Sequence, residues 1–146
     1  MIALVVYGPA TGKDNTDKLE NWLRTYPISA DKLQLAIQVN SIIAPEIVQA
    51  QSRLETGNYK SVLCIEYNNL FGMKMPVVRQ TTAVGSTENG FAIYGTWYDS
   101  VRDMKLWQEW YATRGRDMED YYRFLTSIGY AEDGEYINKL TLLCTL

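Results

Sequence analysis

One β-rich stretch, VVRQTTAVGSTENGFAIYG at 77–95, lies between segments whose apolar residues repeat at helical spacing. Asn89-Gly90 within it is a strong hairpin-turn dipeptide, because both positions tolerate positive φ. A single small hairpin inserted among helices confines the chain to an α+β, mainly α arrangement. With 146 residues, 47% hydrophobic and 21% charged, the chain is expected to be one soluble globular domain, 1–146, with one core.

The helical segments follow from their stripes. Leu19, Trp22, Leu23 and Tyr26 stand at i, i+3, i+4 and i+7, and Leu33, Ala36 and Ile37 repeat the pattern over 31–42. Pro45 suits the first turn of a further helix running to about Glu55, and Gly57 lies where a left-handed C-terminal glycine sits. Residues 61–76 read as a loop with a packed apolar centre. Three later helices are expected, through Trp97–Tyr111, Met118–Ile128 and Tyr136–Leu140. The opening run Ile2–Tyr7 reads as a short strand or arm. GPATGKD looks like a phosphate loop, but three residues rather than four separate Gly8 from Gly12, and Asp14 follows Lys13. It is read as a turn.

Composition removes several chemistries. Histidine is absent, so neither histidine-based nucleophile systems nor histidine zinc sites are available. General acid–base work falls to Glu, Asp, Tyr or Lys. The two cysteines, Cys64 and Cys144, are too few and too far apart for a metal framework and are read as thiols in apolar surroundings. No cofactor or metal is expected. The net charge of −3 lacks the basic footprint of a nucleic-acid binder. No window reaches the ~18 apolar residues of a membrane span, and the start lacks a basic n-region, so neither membrane insertion nor a secretory signal is expected.

One carboxylate is conspicuous by its position. In APEIVQAQSRLETGNYKS the helix ends on Glu55, inside the arc bounded by Ala50 and Val48. Burial and the negative end of the helix dipole both disfavour its charged form. Two readings stay open: a solvated Glu at a frayed end, or a carboxyl held protonated for general-acid work.

Four blocks then occur in order: APEIVQAQSRLETGNYKS, NNLFGMK, FAIYGTWYDSVRD and IGYAEDGEYINKL. Together they resemble the mannosyl-glycoprotein endo-β-N-acetylglucosaminidase-like domain, glycoside hydrolase family 73, a family of peptidoglycan hydrolases that includes autolysins and phage lysins. The similarity spans Ser41 to Leu143, leaving 1–40 as an N-terminal strand and helix extension. The resemblance implies a lysozyme-like helical domain whose small β-lobe walls a substrate cleft. It implies hydrolysis of the β-1,4 bond on the N-acetylglucosamine side of peptidoglycan glycan strands of the bacterial cell wall; the chain is expected to be a monomer. Delivery would be by phage lysis or a virion, or the chain would be an excised domain.

Glu55 matches the family's general acid. Gly72 would let backbone approach a sugar. Asn68 and Asn69 offer amide hydrogen bonds to sugar, or else bond their own turn. Leu70 and Phe71 brace the loop, Phe71 at the edge of the binding site. Tyr94 either anchors the hairpin or faces the cleft as a stacking surface. Some family members carry a second carboxylate on the hairpin. Here 77–95 holds only Glu88, directly before the Asn89-Gly90 turn, where it is either that acid or turn charge. The family's cleft tyrosine has no matching Asn-Pro-Arg-Tyr context. Tyr111 is the nearest candidate by spacing and Tyr130 the second, unless both are core aromatics. Two neighbouring activities share the implied fold, muramidase and lytic transglycosylase. A non-catalytic glycan-binding or virion structural module is the third alternative.

Overall fold

The computed structural model describes residues 12–25 and 27–145. The expected strand Ile2–Tyr7, the glycine at position 8 and Tyr26 lie outside the described residues. The order is α1 (Gly12–Leu23), α2 (Ala30–Val39), α3 (Pro45–Thr56), α4 (Val62–Ile65), β1 (Gly85–Ser86), β2 (Ala92–Ile93), α5 (Trp97–Ala112), α6 (Tyr121–Ser127) and α7 (Tyr136–Cys144). The mainly helical α+β arrangement expected from the sequence is therefore the one observed. Among the described residues no helix is long and apolar enough to cross a membrane, and Cys64 and Cys144 are free thiols.

Helix boundaries follow local chemistry. Ser29 caps α2 by accepting from the Lys32 amide, and Thr96 caps α5 by accepting from that of Asp99. Helix α3 opens on Pro45 and closes on Gly57, whose φ of 55° lets its amide return to the Arg53 carbonyl. The 61–76 segment differs from the loop expected. Ser61 accepts from the Cys64 amide and nucleates the single turn α4, a cap that apolar spacing does not reveal.

The β-lobe is much smaller than its β-rich sequence. Only Gly85↔Ile93 and Ser86↔Ala92 pair antiparallel, extended by an isolated bridge between Lys74 and Phe91. The Asn89-Gly90 turn forms, with Gly90 at φ 83°. Residues 76–83, by contrast, have no regular secondary structure. So short a ladder has no core of its own, and it is held on the helices through buried Ala92, Tyr94 and Met73.

Helix α3 is the central element. It packs against α7 and α2, and α2 also meets α5. Val48, Gln51, Ser52 and Glu55 share one face at i, i+3, i+4 and i+7. The first three of these are buried. Helix α1 joins the same core. Leu23 is fully buried, and the Lys32 ammonium donates to the Trp22 and Thr25 carbonyls at 3.3 and 3.0 Å, satisfying the end of α1. The Trp97 indole N–H also donates to the Thr25 carbonyl, at 3.2 Å. Since Leu23 has no solvent exposure, Leu23→Ala is expected to cost about 2–5 kcal/mol in urea denaturation. A loss within ~0.5 kcal/mol, the range of surface substitutions, would mean α1 is not part of the cooperative fold.

Candidate active site

Glu55 stands one residue before the end of α3, half-buried at the floor of a cleft of about 500 Å³. The cleft is lined on one side by Phe71 through Arg79. The remaining lining residues are Trp107, Trp110 and Tyr111 from α5, and Ile128 through Ala131 following α6. Burial pushes the Glu55 carboxyl above its ordinary range, and a hydrogen bond from the Tyr136 hydroxyl pulls it back in part. The Tyr136 hydroxyl itself is driven far up by burial and by the facing Glu55 charge, so it remains a proton donor. It also accepts from the Gln51 amide at 3.4 Å.

The loop 69–73 closes over Glu55. Gly72 has φ 65°, and a Cβ placed there would lie 3.0 Å from Glu55 Oε2. The glycine is needed twice, for the left-handed backbone and for the close approach of the carboxylate. Asn69 explains how a loop holds so sharp a position. Its Nδ2 donates to the Met73 and Ala92 carbonyls, both at 2.9 Å, and its Oδ1 accepts from the Phe71 and Met73 amides at 3.3 and 3.1 Å. The Leu70 amide donates to Ser100 Oγ at 3.0 Å, and the Tyr130 hydroxyl donates to the Phe71 carbonyl at 2.9 Å. A backbone segment in the interior thus finds its partners in side chains of the loop itself (Asn69), of α5 (Ser100) and of the α6–α7 connection (Tyr130).

The structure separates the expected site residues. Glu55, Phe71, Gly72 and Tyr111 line the cleft, and so does Tyr130. Tyr111 packs edge-on to Trp107 with ring centroids 5.0 Å apart, and Trp107 meets Tyr130 at 5.6 Å. Asn69 and Tyr94 lie outside the cleft lining. All of the Asn69 amide is consumed by backbone. Tyr94 is buried with its hydroxyl donated to Asp103 rather than presented to the cleft. Asn68, at φ 56°, donates to the Tyr94 carbonyl at 2.9 Å and is likewise outside the lining. Glu88 is exposed in the hairpin turn and does not line the cleft. Among the described lining residues Glu55 is the single carboxylate.

Several contributors escaped the sequence reading. Tyr136 was legible only as part of an apolar stripe with Ile137 and Leu140. Its buried hydroxyl, which must find a partner, was the available signal. Gln51, a polar residue on the packed face of α3, has no solvent exposure and donates to the Tyr136 hydroxyl. Arg79 lines the cleft while its guanidinium pairs with buried Asp103. Among the described residues no group of three or more His, Cys, Asp or Glu is placed to hold a metal ion.

Comparison with known proteins is decisive at the level of family. The model of the mannosyl-glycoprotein endo-beta-N-acetylglucosaminidase family matches residues 30–145, most of the chain. The chain belongs to this family. It is accordingly a glycoside hydrolase by descent, and the match includes both the α3 end that carries Glu55 and the 71–79 segment that line the cleft. A solved structure similar to the chain is the catalytic domain of the autolysin Auto from Listeria monocytogenes. The two are 19% identical over 95% of this chain and 96% of that one, with a TM-score of 0.49. No curated protein sequence matches.

Two outcomes are expected from the site. Gly72→Ala should lose about 1–2 kcal/mol from the left-handed backbone alone. Because its Cβ displaces the Glu55 carboxyl, hydrolytic kcat should fall by more than ~10-fold. Unfolding curves and initial rates on the same preparations check both. Tyr136→Phe removes the hydrogen bond that lowers the Glu55 pKa. The high-pH limb of the kcat profile should therefore move to higher pH, and an unmoved limb would sever Tyr136 from Glu55.

Proposed function

We propose that the chain is a peptidoglycan hydrolase that cleaves the β-1,4 bond on the N-acetylglucosamine side, with Glu55 as general acid. The observation that carries this reading is a half-buried carboxyl, raised in pKa, at the floor of an open cleft and overlain by Gly72. Such a group is protonated where an ordinary surface glutamate is not, which is the state a general acid requires. Family membership supports glycosidic chemistry. The cleft's aromatic and apolar walls support a sugar ligand, whose ring faces pack on such surfaces.

In this reading Glu55 transfers its proton to the glycosidic oxygen as the bond to the anomeric carbon breaks. The paired Tyr136 stabilises the carboxylate that remains. A lone carboxylate in the cleft leaves the opposite side of the reaction to the substrate. The acetamido carbonyl oxygen of the N-acetylglucosamine unit bonds to the anomeric carbon. Water then displaces it there while giving a proton to Glu55, so the acid is restored and the acetamide re-formed.

The same lone carboxylate favours one second reading, a lytic transglycosylase. In that reaction a muramic hydroxyl replaces water and no separate water activator is needed. Digestion of purified peptidoglycan, borohydride reduction and mass spectrometry of the fragments decide between them. Reduced N-acetylglucosamine ends are expected. Anhydro-muramic ends would establish the transglycosylase, and reduced muramic ends a muramidase. No fragments from folded protein on several peptidoglycan types would overturn the hydrolase reading.

Glu55→Gln should reduce kcat by at least ~10²-fold while the circular dichroism spectrum is kept. In the wild type kcat should fall as pH rises through the raised Glu55 pKa. Stability has a matching sign. The folded state holds the Glu55 proton more tightly than the unfolded chain, so this contribution is fully present below the ordinary glutamate range and is lost as pH rises through the folded pKa. The glutamine variant should therefore be the more stable protein at neutral pH, and its advantage should shrink toward pH 4 or so, about where an unperturbed glutamate titrates. Urea melts at the two pH values measure the difference.

A further inference from the structure

Residues 76–83 form an irregular segment whose first half, Pro76 to Arg79, lines the cleft. Among the described residues no backbone–backbone hydrogen bond ties this segment to the rest of the domain: the ladder contacts stop at the Met75 amide on one side and resume at the Val84 amide on the other. Ala83 packs on the core, and two side chains anchor the segment by hydrogen bonds. Arg79 Nη1 and Nη2 donate to the two Asp103 oxygens at 2.7 and 3.0 Å, and Thr82 Oγ1 donates to the Asp99 carbonyl at 2.6 Å. Both seats are on α5, one turn apart. Asp103 has no solvent exposure and accepts a further hydrogen bond from Tyr94, whereas the Arg79 side chain is 7% exposed.

A buried ion pair is a poor source of net stability, since two charges must be desolvated to make it. What a bidentate arginine–carboxylate fork does supply is fixed geometry, because its two parallel hydrogen bonds allow one relative orientation. The geometry fixed here belongs to the cleft. Val77 and Val78 sit directly before Arg79 and line the cleft, yet they are 96% and 77% exposed. Two neighbouring valines left in water gain nothing for the fold.

We infer that Arg79 is a positioning residue for substrate. Its fork on Asp103 seats the segment on α5 and holds the Val77–Val78 edge where it packs on a bound glycan. Glu55 is not touched by this device, so the segment acts on binding and leaves the proton transfer alone. The inference rests on the hydrolase reading proposed above.

Steady-state kinetics on soluble glycan strands, combined with limited thermolysin digestion, test it. Thermolysin cuts before valine, so it reports directly on release of the segment. Arg79→Met should raise KM roughly tenfold with kcat changed less than about threefold, the signature of binding lost equally in ground and transition states. Arg79→Lys, with a point charge in place of the fork, should fall between the methionine variant and wild type. The pH profile of kcat should be unmoved in both, and new cleavage should appear at Val77 or Val78. If Arg79→Met fails to fold because Asp103 is left as a buried unpaired charge, the double variant Arg79→Met/Asp103→Asn removes both charges. Its asparagine keeps an acceptor for Tyr94, and the same rise in KM is expected. Unchanged KM and unchanged protease resistance in a folded variant would overturn the inference. So would a loss confined to kcat, or a loss of activity in proportion to the unfolded fraction. A wild-type protein inactive on every glycan would overturn the hydrolase reading and this inference with it, whereas an active wild type with silent variants would overturn this inference alone.

Discussion

The structure depends on keeping one carboxyl group both half-buried and reachable. Glu55 lies on the packed face of the most central helix, yet its oxygens open onto the cleft. Desolvation alone would make the charged form costly, and the hydrogen bond from Tyr136 offsets part of that cost. Tyr136 opens α7, and α7 packs against α3, so the helix pair that forms the core also tunes the acid.

The other elements can be understood as consequences. A glycine must lie over the carboxyl, because a Cβ at position 72 would meet Oε2 at 3.0 Å. A loop carrying that glycine into the interior has backbone groups that water cannot reach. Asn69, Ser100 and Tyr130 supply their partners. Gln108 does the same where α5 passes the α2–α3 connection, accepting from the Ile43 amide at 2.8 Å and donating to its carbonyl at 3.0 Å. Buried Asn69, Ser100 and Asp103 are thus scaffolding for the segment that lines the cleft, while aromatic and apolar side chains supply most of the lining itself.

Much of the architecture was legible beforehand. The stripes of α2, α5 and α6, Pro45 and Gly57 at the ends of α3, and the Asn89-Gly90 turn all appear where local chemistry puts them. The α3 stripe was readable only in part. Its buried face is centred on Val48, Gln51, Ser52 and Glu55, and two of those are neutral polar residues that an apolar count passes over. Residues 77–95 misled in the opposite way. β-branched composition suggested a longer hairpin, but Val77, Val78 and Val84 are exposed, and strand propensity is only realised where a partner strand is present. For Asn69 and Tyr94 residue type alone left two readings open, sugar contact or a part in the turn and hairpin. Their polar groups bond Met73, Ala92 and Asp103, partners up to 23 residues away that residue type does not reveal.

By itself the sequence determined the helical class, the placement of one small hairpin, the exclusion of histidine chemistry and the singular position of Glu55 at a helix end. These are properties of local spacing and residue type, which operate within a few turns of chain. The tertiary structure alone decided that Gly72 touches that carboxyl, that Tyr136 pairs with it across 81 residues, and that Arg79 is locked to Asp103. Those pairings depend on how helices and loops meet in space, and hydrogen-bond partners that meet only after packing leave no period in the sequence.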